Sequence, residues 1–168
     1  MSDKAPEVRI VPITEAHIES YHDCLDSVAR ERRYLAFVEA PPLGSTREFV
    51  RSNIARDIPQ FVALNGEDVI GWCDISPMRF EGFTHSGRLG MGIHASFRRL
   101  GIGTRLIEQT IRKAKEKGLE RIELEVLASN TPALKLYEKM GFVVEGIKRK
   151  ARKLDGSYDD LVEMALFI

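Results

Sequence analysis

An excess of charge is the first thing this sequence lacks. Its 25 Lys and Arg are cancelled by 25 Asp and Glu, for a formal net charge of +0 at pH 7. No global field therefore gathers nucleic acid or an anionic membrane, and any bound anion must be held by a local arrangement. Cysteine is nearly absent, with only Cys24 and Cys73 in the chain. They are distant in sequence and lack metal-ligand spacing, so they read as buried or half-buried thiols in a reducing compartment rather than as a disulfide, a zinc site or a nucleophile. No run approaches the roughly 18 apolar residues of a membrane span. The opening, Met1 to Glu7, is short and polar, without the basic segment and apolar run of a leader. These absences lead us to expect a cytoplasmic protein that partners neither nucleic acid nor membrane. What is present is ordinary for a globular chain: 168 residues, 43% hydrophobic and 30% charged. That suffices for a single domain over 1–168 with a core from about residue 8.

The pattern along the chain predicts a mixed α/β sheet. Val8 to Ile13 reads as a strand, and Thr14 with Glu15 opens a helical stretch to about Arg30. Pro41-Pro42 breaks the pattern in Glu31 to Gly44, which reads as a loop. Ser45 and Glu48 have capping-box spacing and predict a second helix that ends before Pro59. Gln60 to Leu64, Asp68 to Ser76 and Arg88 to His94 read as strands, with Asn65-Gly66 as a hairpin turn between the first two. Along the third, Leu89, Met91 and Ile93 share one face, and Gly90, Gly92 and His94 the other. The clearest helix is Gly101 to Lys117, whose stripe of Ile102, Leu106, Ile107, Ile111 and Ala114 is followed by Gly118 as a stop. Arg121 to Leu127 alternates as a strand with Ile122, Leu124 and Val126 inward. Pro132 suits the first position of a helix capped by Thr131 and ended by Gly141. Phe142 to Arg152 and Tyr158 to Ile168 predict a last hairpin around Asp155-Gly156. The strand–helix–strand unit over 88–127 implies a parallel pair with a right-handed crossover.

The densest chemical signal is Arg98-Arg99-Leu100-Gly101-Ile102-Gly103-Thr104, between a strand and the long helix. Two glycines one residue apart let backbone turn tightly and approach a ligand closely. A helix start leaves N–H groups unpaired and favours negative charge. Arg98, Arg99 and the Thr104 hydroxyl add donors, so the segment reads as a phosphate or pyrophosphate pocket. It is not a GxxxxGK[ST] loop, and it lacks the third glycine of a dinucleotide fingerprint.

Arg98-x-x-Gly101-x-Gly103 after a strand and at the head of an amphipathic helix resembles the coenzyme A signature of the GNAT acetyltransferases. A second stretch, Leu124-Glu125-Val126-x-x-x-Asn130 with Ala133, Leu136-Tyr137 and Gly141-Phe142, is also similar to that family. The order of elements matches it from Val8 to Ile168. The resemblance implies a single-domain, mixed, twisted sheet with helices on both faces and a splayed parallel pair of strands at its centre, and acetyl-coenzyme A as co-substrate. It implies that the amides of residues 99 to 104 hold the pyrophosphate, and that the pantetheine arm lies between strands 89–94 and 121–127. Met91 and Ile93 would supply backbone contacts, and Gly90 and Gly92 would clear space near the thioester. By the same match Asn130 bonds the pantetheine, and Tyr137 gives a proton to the departing thiolate. Without the resemblance, Tyr137 reads as a core residue on the stripe of Ala133, Leu136 and Met140, and Asn130 as a helix cap.

The general base is less legible. Some members of the family place a glutamate at the head of the strand before the signature, where this chain has Gly87-Arg88-Leu89. Candidates are His85, His94, Asp74, Glu123 and Glu125. We take His85 beside Tyr137 as the catalytic pair, because a histidine titrates near neutrality. An exposed loop histidine and a solvent-routed deprotonation stay open. The expected function is direct acetyl transfer in a ternary complex to a primary amine, small molecule or amino acid first and protein N-terminus or lysine next. The alternative is a non-catalytic acyl-coenzyme A sensor. No metal is expected, and the last strands offer edges for a homodimer.

Overall fold

The computed structural model describes residues 7–168, and nearly all of the polar N-terminal segment (residues 1–6) lies outside them. Strand β1 (Val8–Pro12) leads through a short 3-10 turn into α1 (Ile18–Arg30) and α2 (Leu43–Ala55). Then come β2 (Gln60–Asn65), β3 (Asp68–Pro77), β4 (Ser86–Ile93), α3 (Ile102–Glu116), β5 (Arg121–Leu127), α4 (Thr131–Lys139), β6 (Val143–Leu154) and β7 (Ser157–Phe167). This is the anticipated order. The strands form a seven-stranded sheet, β1-β2-β3-β4-β5-β7-β6. Among the described residues only β4 and β5 pair in parallel, as the helix between them requires.

Alternation along the strands divides the core in two. On one face Trp72 of β3 and Val62 and Leu64 of β2 pack against Tyr21, Leu25 and Val28 of α1 and Val50 of α2. On the other, Cys73, Ile75, Leu89, Ile122 and Leu124 pack against Leu106, Ile107 and Ala114 of α3 and Tyr137 of α4. The apolar stripe of α3 therefore faces the sheet, with Ile111 at its half-buried margin. Both cysteines are buried free thiols. Burial pushes Cys24 up to about 12 and Cys73 higher still, so neither is a thiolate at neutral pH.

Three local expectations need correction. Helix α2 starts two residues before Ser45: its first amide bonds run from Ser45 and Thr46 N–H to the Pro42 carbonyl, and no side chain caps it. The extended backbone of Pro42 sets the helix start, so the Ser45–Glu48 spacing falls inside the first turn. The β2–β3 pairing joins Asn65 to Asp68, so the two-residue turn is Gly66-Glu67, with Gly66 at φ 62°. Asn130 rather than Thr131 caps α4, its side-chain oxygen accepting from Ala133 N–H at 3.3 Å.

Leu106 is completely buried between α3 and the sheet. Truncation to Ala should cost about 3 kcal/mol through lost burial and a cavity. Urea unfolding should show this as a lower midpoint at unchanged slope.

Candidate active site

The parallel pair is short. It registers at Ser86–Arg121, Gly87–Ile122 and Arg88–Glu123 and goes no further. Beyond it β4 stays paired with β3 as far as Ile93–Gly71, and β5 with β7 as far as Leu127–Leu161. Each strand is held by its outer neighbour while the inner edges part. The His94 N–H donates to the Ile70 carbonyl of β3. Strand alternation then turns the backbone groups of Met91 and Ile93 the other way, into the gap toward β5.

At the C-terminal end of this gap lies the glycine-containing loop. Arg99 (φ 64°) and Gly101 (φ 75°) both adopt the left-handed conformation on either side of Leu100. Residues of this hand alternating with others gather successive N–H groups into a concave nest suited to an anion. The first α3 turn opens beside it, and its first amide bond from beyond the nest runs from Arg105 N–H to Gly101 carbonyl. Gly103 has a different duty. A side-chain carbon there would lie 3.0 Å from Leu136 Cδ2, so its absence lets α4 close on α3. These features fit a pyrophosphate-bearing ligand with an extended arm.

The side chain of Arg98 is committed elsewhere. Its Nε donates to the Ile93 carbonyl at 3.0 Å, its Nη2 lies 3.0 Å from Glu31, and the guanidinium sits 4.7 Å from the Tyr34 ring centre. The arginine ties the segment after α1 to the end of β4 instead of facing the nest as a donor. Arg99 and Thr104 form no such internal contacts among the described residues and remain at the loop.

Around the gap, Tyr137 is buried on the α3/α4 face, its ring 5.8 Å from that of Phe142. Loss of hydration, and secondarily Cys73, holds its phenol above the usual range, so it keeps its proton. Asn130 spends its oxygen on the α4 cap, leaving its amide N–H groups as donors at the head of that helix. His85 is exposed and lies before β4, where the parallel pair is closed. Five residues of strand, about 16 Å, separate it from Gly90. His85 lines a shallow hollow with Phe83, Arg121 and Glu123, and Tyr137 is not among its lining residues. His94 accepts from Ser96 N–H at 3.2 Å as the cap of a short turn. Glu123 and Glu125 are engaged by Arg88, Arg121 and Lys148.

The two strand glycines, expected to act alike, differ. A side-chain carbon at Gly92 would lie 2.2 Å from Trp72 Cη2, so the indole already fills that space. At Gly90 the same carbon would meet only the Asp74 carboxylate, at 3.8 and 3.9 Å. Asp74 is the cross-strand partner of Gly90, and its carboxyl overhangs the notch. Loss of hydration pushes that carboxyl up to about 7 against the opposing pull of the Ser76 hydroxyl.

Comparison with known proteins follows this geometry. The family model described as the acetyltransferase (GNAT) family matches residues 19–142. The L-amino acid N-acetyltransferase AaaT of Escherichia coli is 31% identical over 109 residues, covering 64% of this chain and 67% of that protein. The ribosomal protein bS18-alanine N-acetyltransferase of Salmonella typhimurium is 34% identical over 76 residues, covering 45% of this chain and 51% of that protein. The chain thus spans about half to two thirds of the length of the curated relatives it matches. A GNAT superfamily phosphinothricin acetyltransferase from Sinorhizobium meliloti, solved with acetyl-CoA, superposes at a TM-score of 0.89 and 15% identity. That match covers 96% of this chain and 88% of the other, and it speaks for the fold.

Asp74 carries a test of its own. A carboxyl that holds its proton in the folded state longer than in the unfolded one loses stability as pH rises from about 4 to about 7. The part-exposed position limits the cost to about 1–2 kcal/mol. Asp74→Asn should therefore match the wild type at pH 4 and melt a few degrees higher at pH 8, by calorimetry at both values.

Proposed function

The chain belongs to the acetyltransferase (GNAT) family, and from that premise we propose that it acetylates a primary amine using acetyl-coenzyme A, a small molecule or amino acid being the favoured acceptor and a protein N-terminus or lysine the next. The observation that carries this reading is the parted β4–β5 edge running into the amide nest at residues 99–104.

Acetyl-coenzyme A supplies an activated acetyl thioester. The nest amides, the Arg99 guanidinium and the Thr104 hydroxyl hold the phosphates. Met91 and Ile93 backbone groups, with the Asn130 amide, take the hydrogen bonds of the extended arm. A free N–H on the parted edge of β4 stabilises the oxyanion that develops at the acetyl carbonyl. Tyr137, kept protonated by its burial, donates from Oη to the sulfur as it leaves. With amine and thioester held together, orientation supplies much of the gain, and no covalent enzyme intermediate is involved.

A small acceptor is favoured by how the opposite face is closed. Arg32, just after α1, donates to Asp155 in the β6–β7 turn at 2.8 and 3.0 Å, and Arg152 donates to the Arg32 carbonyl at 2.7 Å. Segments 120 and more residues apart are thereby latched across the sheet. A face tied down in this way supports a small amine over a folded protein surface as the acceptor. The name of the Escherichia coli relative, an L-amino acid N-acetyltransferase, agrees with this choice.

Calorimetric titration with acetyl-coenzyme A should show saturable binding, weakened about tenfold or more by Arg99→Glu and by Gly101→Glu. Thiol release across a panel of amino acids, amines and short peptides should then find an acceptor. Tyr137→Phe should lower turnover about a hundredfold while leaving coenzyme affinity within twofold. No binding by the wild type would sink the reading, and binding without thiol release from any amine would favour an acyl-coenzyme A sensor.

A further inference from the structure

Many carboxylates of this chain sit beside a cation, but Asp74 does not. Among the described residues no Lys, Arg or His comes within 4.0 Å of it, the limit that defines the other ion pairs. Around it are Tyr21 from α1, with Cys24 beyond it, Gln60 from β2, Ser76 on its own strand, and Cys73, whose side chain turns to the other face. Tyr21 and both thiols stay neutral at ordinary pH, because burial pushes all three up. Gln60 is buried, accepts from the Asn53 side-chain amide at Oε1, and has no partner for its Nε2. Arg88, the nearest cation along β4 on this face, is turned to Glu123 at 3.4 Å and Glu125 at 4.0 Å.

The carboxyl also occupies a particular place. It hangs over Gly90, two residues past the last parallel pair, where β4 and β5 begin to part. No side chain fills that notch, whereas Trp72 fills the corresponding one at Gly92. Tyr137 belongs to the core on the other face of the sheet.

We propose that Asp74 is the general base of this enzyme, receiving the acceptor as its ammonium ion in the notch over Gly90. The inference rests on the acetyl-transfer reading. An uncompensated carboxylate at an opening attracts a cation, and the incoming ammonium is the missing counter-ion. One Asp74 oxygen takes a proton from that nitrogen. The neutral amine forms the C–N bond at the acetyl carbon, and the C–S bond breaks. The departing sulfur takes a proton from Tyr137, which recovers one from the newly bonded nitrogen. Asp74 then releases its proton to solvent, so the cycle yields amide, free thiol and one proton. A carboxyl pushed up to about 7 suits this duty, because it is ionised at physiological pH yet basic enough to accept. The arrangement also explains how the chain dispenses with a carboxylate at the head of β4, since the neighbouring strand delivers one to the same gap.

The test is the pH profile of kcat/KM for the wild type and Asp74→Asn with whichever amine releases thiol. Asparagine has the shape of the neutral acid, so the variant should fold and bind acetyl-coenzyme A as the wild type does. The wild type should climb to a plateau above about pH 7. The variant should lose about 10²–10³-fold in kcat and lack that limb. Three outcomes would overturn the assignment: wild-type kcat in Asp74→Asn, a limb unmoved by the substitution, or a limb abolished instead by His85→Ala. A wild type that binds acetyl-coenzyme A yet turns over no amine would overturn it together with the reading beneath it.

Discussion

Everything functional in this molecule depends on two strands that stop pairing. Backbone N–H and C=O groups buried without partners are costly, and a sheet interior normally leaves none. Here β4 and β5 register at only three residue pairs and then diverge. The divergence survives because each strand keeps its outer partner, β3 for β4 and β7 for β5. The inner edges retain hydrogen-bonding capacity that an extended polar ligand can meet. Arg98 closes one such group, the Ile93 carbonyl, and joins it to Glu31 beyond α1. A residue of the signature thereby acts as a structural strut between coenzyme loop and acceptor side.

The two faces of the sheet each carry a titratable group shifted by its surroundings. The α3/α4 face carries Tyr137, whose hydroxyl stays protonated because its surroundings cannot hydrate a phenolate. The α1/α2 face carries Asp74, whose carboxyl is raised by the same loss of hydration. One physical effect, applied on opposite faces, keeps a phenol protonated and raises a carboxyl. Glycine makes both approaches possible: Gly103 lets α4 close on α3, and Gly90 leaves the notch beneath Asp74. The Arg32–Asp155 pair ties the segment after α1 to the β6–β7 turn.

Much of the fold was legible in the sequence. Period and punctuation located the strands and helices, and the glycines at 118, 141 and 156 stand at the left-handed positions where chain breaks were expected. Errors were confined to element ends, where one extended proline or one capping asparagine outweighs a spacing pattern. The nest was legible as two glycines at a helix start, although the left-handed Arg99 was not, since nothing in an arginine announces positive φ. Asp74 is one of several candidate bases in the sequence, and nothing local distinguishes it from His85. The loss of hydration at Asp74 is a property of its neighbours rather than of residue type.

The sequence by itself determined which residues alternate, where the chain turns, and that a glycine-bearing loop opens a helix after a strand, because these follow from local sterics and period. It also determined the family, through motifs whose spacing survives without coordinates. The tertiary structure alone decided that the Arg98 side chain is held by Ile93 and Glu31, that the space at Gly92 is filled and that at Gly90 open, and that the Asp74 carboxyl overhangs Gly90 while His85 lies before β4. Those outcomes depend on which strand lies beside which and on what each side chain finds there. Cross-strand register brings together residues distant in sequence, and no local pattern encodes the hydration they lose on meeting.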